Sequence, residues 1–278
     1  MKEIGVFIEY KSAESFPLRV KDALGIGAAC CQLAFWDPGL YTEENASIIN
    51  EVTKKHGFRI TALWAGWSGP CRWNFTEGPS TIGLVPEEYR EMRAAELLWA
   101  SEFAEKIGVT DIITHVGFLP GDEKDPMYIG VVAELRRIVG AMHKRGQRFL
   151  FETGQEKPGT LLRTIRDIGY TNVGINLDTA NLILYGMSST LDAIDVFGSY
   201  VMNTHIKDGR WPTVPGELGV QVKAGKGDAN RPAVVRKLYE IGYTGPLTIE
   251  REIDGEEQKR DIMETFIYLE DIIAKLQK

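Results

Sequence analysis

The chain has 278 residues, 44% hydrophobic and 26% charged, which excludes disorder, collagen-like repeats and coiled coil. A folded chain of this size buries roughly 75% of the surface its unfolded form exposes, so it needs neither disulfides nor a structural metal to hold a core. The net charge of −7 argues against a polyanion as main partner, so no nucleic acid is expected, and no apolar run reaches the roughly 20 residues that would cross a membrane.

The N-terminus, MKEIGVFIEYK, carries Glu3 and Glu9 in its short apolar stretch and no small-residue cleavage site. It does not read as a signal peptide, and a cytoplasmic protein is expected. Eight short apolar runs then follow in chain order: 2–9, 28–35, 58–64, 110–116, 147–153, 172–178, 200–207 and 245–251. Near-continuous apolar runs of this length are what parallel strands covered on both faces require.

Between the runs lie segments with helical spacing. A short helix follows Phe16 and Pro17, and others are predicted at roughly 43–56, 87–107, 126–145, 158–168, 189–197, 231–241 and 256–276. In the helix at 87–107, Met92, Ala95, Leu98, Trp99 and Phe103 keep a 3.6-residue stripe that predicts the buried face. Eightfold alternation of strand and helix predicts an α/β fold, a (β/α)8 TIM barrel, as one domain over residues 1–278. An open doubly wound sheet is the runner-up, but no GxGxxG follows the first strand and there is no P-loop. Long loops at roughly 65–86 and 208–229 follow strands and are candidate lids or pocket walls.

In a barrel of this kind chemistry sits at the C-terminal ends of the strands. Strands five to eight end in Glu152, Asp178, His205 and Glu250. Three carboxylates on one rim repel one another unless a cation neutralises them, so a divalent metal is the simplest resolution. Residues two apart on a strand share a face, which puts Leu150, Asn176, Asn203 and Thr248 one layer below. Three of these are polar, and Asn176, Asn203 and Thr248 are candidates to orient the ligands from beneath.

The segments FLFET, GINLDTAN, NTHIKDGR and PLTIERE, which carry those four residues, resemble the metal-ligand segments of the sugar phosphate isomerase/epimerase superfamily. This is the xylose-isomerase-like TIM barrel group, which includes ketose 3-epimerases, hydroxypyruvate isomerases and inosose dehydratases and is related to an apurinic endonuclease type. The resemblance covers nearly the whole chain and extends to AGKGDANRPAVVRKLYEIGYTGPLTIE. It implies one divalent metal ion, Mn, Mg, Co or Zn; a ligand set of three carboxylates and an imidazole leans toward a hard ion. It also implies that Glu152 and Glu250 double as the acid/base pair of an isomerase or epimerase acting on a sugar, keto-sugar or related hydroxy-carbonyl compound through an enediolate. A lyase or dehydratase acting on a keto-inositol or keto-sugar glycoside with the same metal is the alternative. A non-catalytic sugar-binding barrel is a third reading.

Four further residues are candidates for substrate binding. His115 ends the fourth strand on the inward parity of Ile113, and Trp64 ends the third, with Trp67 and Trp73 in the loop behind it and Trp36 just after the second strand. Lys207 shares the parity of His205 and resembles the lysine that dehydratase-type members direct at substrate oxygens. Asn181 stands where several relatives place a histidine. His56 and His143 fall near helix C-termini and read as structural. With four histidines in all, and none at 208–229, the trinuclear site of an apurinic endonuclease-like enzyme lacks its ligands. Cys30, Cys31 and Cys71 form no CxxC pair and read as buried, free thiols. Barrels of this type often associate as homo-oligomers; the interface signal here is limited to scattered surface aromatics.

Overall fold

The computed structural model describes residues 3–276. Its barrel strands are β1 (Ile4–Glu9), β2 (Cys30–Phe35), β3 (Arg59–Ala65), β4 (Asp111–Thr114), β5 (Arg148–Glu152), β6 (Val173–Asp178), β7 (Val201–Ile206) and β10 (Leu247–Ile249). They pair in parallel, each with its sequence neighbours, and β10 closes on β1 through Ile4 opposite Leu247. The expected eight-unit closed barrel is therefore the fold.

The helices are α1 (Ser15–Gly25), α2 (Glu43–His56), α3 (Gly78–Thr81), α4 (Glu87–Lys106), α5 (Pro126–Lys144), α6 (Pro158–Ile168), α7 (Asn181–Leu184), α8 (Thr190–Phe197), α9 (Arg231–Glu240) and α10 (Gly255–Leu276). Boundary chemistry explains why several of them match their sequence expectation. Thr42 caps α2 by accepting the Asn45 N–H, and Gly57 ends it at φ 60°, a left-handed conformation that glycine adopts without steric cost. Asp125 caps α5 ahead of Pro126, whose missing N–H is no loss in a first turn. Among the described residues, no helix is long and apolar enough to cross a membrane.

Three features depart from the expectation. In α4 the buried face is Arg93, Ala94, Leu97, Ala100, Ser101, Phe103 and Ala104, whereas Met92 and Trp99 of the expected stripe are 41% and 44% exposed. The cause is Arg93. Its guanidinium donates to the carbonyl oxygens of Ser68, Pro70, Thr81 and Gly83, and that satisfaction lets a charged residue occupy the inward face with Ala94, Leu97 and Ala100. The loop at 208–229 contains a small antiparallel ribbon, β8 (Gly209–Arg210) with β9 (Val220–Gln221). Asp208 organises this loop by accepting the backbone N–H groups of Gly209, Gly225, Gly227 and Ala229 and one from Arg231. The third departure is that α3, one turn long, falls in the segment 65–86 read as loop, and α7, also one turn, lies between the sixth strand and the helix at 189–197, where no element was expected.

The main core lies between barrel and helices, and a second cluster, including Ala34, Ala62, Trp64, Ile113 and Leu150, fills the barrel interior. Cys30 and Cys31 are fully buried and Cys71 is half-buried; all three are free. Register shifts interrupt two ladders, between Cys31 and Gln32 and between Ile175 and Asn176. Bulges re-aim the side chains that follow them. Here those side chains are polar and lie inside the barrel.

Candidate active site at the barrel mouth

β5, β6 and β7 end in Glu152, Asp178 and, one residue before the end, His205, while Glu250 immediately follows β10. The structure brings the four together: all are buried, and one ligand-type atom from each lies within 4.8 Å of the others. His205 Nδ1 sits 2.9 Å from Glu152 Oε1, 3.2 Å from Glu250 Oε2 and 3.7 Å from Asp178 Oδ2. Ligands on opposite sides of one ion lie about 4.2–4.8 Å apart when each bond is about 2.1–2.4 Å, so the span suits a single Mg-, Mn- or Zn-sized ion after slight contraction. The donor set fits as well. Asp178 Oδ1 is held by the Ala180 and Asn181 N–H groups, which leaves Oδ2 facing the cluster with the Lys207 ammonium 3.2 Å and His205 Nδ1 3.7 Å away.

The imidazole is fixed from beneath by a residue that periodicity did not single out. Gln32 Nε2 donates to Asn176 Oδ1 at 2.9 Å, to Asn203 Oδ1 at 2.8 Å and to the Thr204 carbonyl at 3.3 Å. Its Oε1 must therefore accept, and His205 Nε2–H donates a hydrogen bond to it at 2.5 Å. That places the other ring nitrogen toward the carboxylates, the orientation a metal-binding imidazole needs. Asn176 and Asn203 thus act on His205 through Gln32. Thr248 lies in the same buried layer, but its hydroxyl makes no hydrogen bond. The sequence signal was a lone amide inside the apolar run CCQLAF; a buried glutamine needs partners, and its position in β2 points them inward.

Electrostatics follow from this packing. Burial alone would push His205 down, but Glu250 and Glu152 outweigh it and hold the ring well above the usual imidazole range. Burial raises Glu152, yet the His115 and His205 rings hold its carboxyl at about 2. Burial likewise raises Asp178, and Lys207 followed by His205 pulls it below the usual carboxylate range. Lys207, expected either in the pocket or on the surface, is 2% exposed. Its Nζ lies 3.2 Å from Asp178 Oδ2, 3.0 Å from Glu250 Oε2 and 3.1 Å from Glu252 Oε2, so it serves as an internal counter-ion.

The remaining candidates surround Glu152. Trp64 is buried and directs its indole N–H at Glu152 Oε2. His115 Nε2 lies 3.6 Å from that same oxygen, and burial pushes its ring below the usual range. Asn181 Nδ2 is 3.5 Å from Glu152 Oε1. Above them opens a cavity of about 840 Å³ whose lining includes Trp36, Trp73, His115, Gln155 and Tyr185. Sequence reasoning did not single out Gln155 and Tyr185, which sit in post-strand segments without periodicity. His56 and His143 end α2 and α5 on the surface, away from the mouth.

Residues 20–272 match the family model described as xylose isomerase-like TIM barrel. No curated protein matches the chain. Among solved structures, a xylose isomerase domain protein from Planctomyces limnophilus is 32% identical with a TM-score of 0.93, covering 99% of each chain. A xylose isomerase-like TIM barrel protein from Mycobacterium smegmatis, in complex with magnesium, is 16% identical with a TM-score of 0.75, covering 100% of this chain and 98% of that one. A 3-keto-D-glucoside 4-epimerase from E. coli is 15% identical with a TM-score of 0.73, covering 98% of this chain and 100% of that one.

Proposed function

Because this chain belongs to the xylose isomerase-like TIM barrel family, we propose that it is a divalent-metal-dependent isomerase or epimerase of a keto-sugar or related hydroxy-carbonyl compound. The observation that carries the reading is the convergence of Glu152, Asp178, His205 and Glu250 beneath an open cavity, with the two glutamates each in contact with one imidazole nitrogen. These four residues would hold the ion, and a hard or borderline ion there would supply Lewis-acid polarisation of a carbonyl.

The chain's own residues would do the rest. Glu152, ionised and oriented by Trp64 and Asn181, is placed to take a proton from the carbon beside the carbonyl. The C–H electron pair moves into the carbonyl to leave an enediolate, and Glu250 or Glu152 returns the proton. Return to the opposite face of the same carbon inverts it; return to the neighbouring carbon, with the hydroxyl proton passing from one enediolate oxygen to the other, interconverts ketose and aldose. Lys207, already 3.0 Å from Glu250, is the group that can follow a substrate oxygen as it gains charge. His115, with its Nδ1 unpartnered, offers a neutral hydrogen-bonding edge at the rim.

The buried ammonium of Lys207 also supports a second reading, a lyase, in which the same proton removal is followed by expulsion of a β-substituent oxygen that Lys207 protonates. One experiment tests both. Metal-loaded protein is incubated with a ketose and keto-glycoside panel in heavy water and read by NMR and mass spectrometry. Deuterium next to the carbonyl at unchanged mass supports isomerisation or epimerisation, and loss of water or an aglycone supports the lyase. Exchange that survives in Glu152→Gln and Glu250→Gln sinks both.

A further inference from the structure

The mouth cavity is larger than the ion and one sugar ring require. At about 840 Å³ it lies near the top of the roughly 300–1,000 Å³ range of small-molecule pockets; it extends from Glu152 and Glu250 to a wall holding Trp36, Trp73, Gln155 and Tyr185, and also reaches residues of α1 and α10 such as Arg19 and Lys259.

That wall has unmet hydrogen-bonding capacity. Gln155 is 3% exposed; its amide and the buried Tyr185 hydroxyl lie against each other, yet neither makes a well-formed hydrogen bond, so the pair keeps donor and acceptor capacity to spare. Leaving a buried polar group unpaired costs about 1–3 kcal/mol, so groups of this kind aimed into a cavity are accounted for by a ligand that completes them. Tyr185 cannot swing away to find another partner. Its ring is wedged edge-on between Phe75 and Phe118, with centroids 5.8 Å from each and interplanar angles of 84° and 74°. Burial pushes its hydroxyl up to about 12, which keeps it a neutral donor.

Aromatic faces complete the wall. Trp36 and Trp73 are 40% and 39% exposed and meet nearly at right angles, with centroids 6.3 Å apart at 81°, and Trp73 also packs 5.1 Å from His115. A sugar ring presents C–H groups on its faces and hydroxyls around its rim, so an aromatic corner beside an amide and a phenol matches both. None of these four side chains is cationic; the cations that line the cavity, Lys11, Arg19, Lys21, Arg251 and Lys259, come from the segments around β1, α1 and α10, so this wall suits a neutral ring.

We propose that Trp36, Trp73, Gln155 and Tyr185 form a second subsite for a hydroxyl-bearing ring joined to the reacting unit, so that the substrate is a glycoside or disaccharide-sized keto-sugar. The inference rests on the proposed function for the identity of the reacting unit, but its test reads binding and needs no turnover.

Magnesium-loaded protein is titrated with glucose, fructose, maltose, sucrose, lactose and trehalose, following tryptophan emission and binding heat. The expected result is that at least one disaccharide binds about tenfold or more tightly than its own constituent monosaccharides. Gln155→Leu and Tyr185→Phe are each expected to weaken that disaccharide about fivefold, while monosaccharide and magnesium affinities stay within about twofold. Tyr185→Phe keeps the ring wedged between Phe75 and Phe118, so it remains informative if Gln155→Leu fails to fold. Monosaccharides that bind as tightly as disaccharides, variants that weaken both classes equally, or no disaccharide binding at all would overturn the proposal. Failure of the metal-enzyme reading registers separately, as absent magnesium binding or absent deuterium exchange.

Discussion

Gln32→Leu isolates the role of the amide network under the histidine. Gln32 is fully buried, accepts a hydrogen bond from His205 Nε2–H and donates to Asn176 and Asn203. Leucine is close in volume and has no polar atom, so the substitution removes hydrogen bonds while leaving little void. It strands one ring N–H and the Asn176 oxygen; Asn203 Oδ1 keeps the Thr204 N–H at 3.1 Å. Two stranded buried groups at about 1–3 kcal/mol each, partly relieved by relaxation, predict a loss of roughly 2–4 kcal/mol in the metal-free protein. The larger consequence concerns the ion. With Nε2 unpaired, nothing selects the tautomer that leaves Nδ1 free, and losses of this kind weaken metal binding by about 10–100-fold. At a fixed saturating metal concentration that removes about 1.4–2.8 kcal/mol of ligand-derived stabilisation. Calorimetric titration with magnesium or manganese, and denaturant melts with and without the ion, measure the two quantities independently. A variant that binds the ion within about threefold of wild type would show that the network fills space and does not orient the ligand.

Two further outcomes follow from groups outside the ligand cluster. Burial pushes the Glu156 carboxyl from its ordinary value of 4.5 up to about 8, against the pull of backbone N–H groups in its own loop. The folded protein therefore holds a proton that the unfolded chain has lost, and the associated stability is complete below about 4.5 and disappears as pH rises through about 8, with a ceiling of about 5 kcal/mol at 1.36 kcal/mol per unit. Urea melts at pH 5 and pH 8.5 should show a steeper loss for wild type than for Glu156→Gln; parallel profiles would contradict this. Arg93→Met leaves the carbonyl oxygens of Ser68, Pro70, Thr81 and Gly83 without their donor and is expected to cost about 3 kcal/mol or more, with faster hydrogen exchange across 66–86. A variant within about 1 kcal/mol of wild type would mean that Arg93 is not what ties that loop down.

The barrel and the clustering of Glu152, Asp178, His205 and Glu250 were legible because both are written at short range. Apolar runs mark the strands, Thr42, Gly57 and Pro126 mark helix ends, and the residue types at the ends of β5, β6, β7 and β10 fall on one parity. What escaped depends on long-range partners. Gln32 lies 173 residues from His205 and follows a register shift, so strand parity alone does not assign its target. The inward face of α4 was misread because Arg93 is buried by carbonyls of a loop whose conformation the sequence does not encode periodically. Gln155 and Tyr185 became visible only when the fold placed both residues in the lining of one cavity. Trp64 was noticed for its ring, yet its indole N–H fixes Glu152.

The charge pattern of the mouth also follows from strand geometry. Residues two apart share a face, so β7 delivers His205 and, just beyond it, Lys207 to the same side, while β10 and the segment after it deliver Glu250 and then Glu252. The ammonium thus arrives in fixed register with the imidazole, and both acidic residues of the neighbouring strand lie within 3.1 Å of it. Without an ion, Lys207 and a protonated His205 are the cations that make three buried carboxylates tolerable. With a divalent ion and a neutral imidazole, Glu152, Asp178 and Glu250 would be balanced by the ion plus Lys207, and Glu252, the more exposed partner of Lys207, would add one negative charge at the edge. An ion that shares the charge of Asp178 and Glu250 would leave Glu252 as the main counter-ion of Lys207, so the ammonium would stay in place and hold a fixed positive charge beside the site.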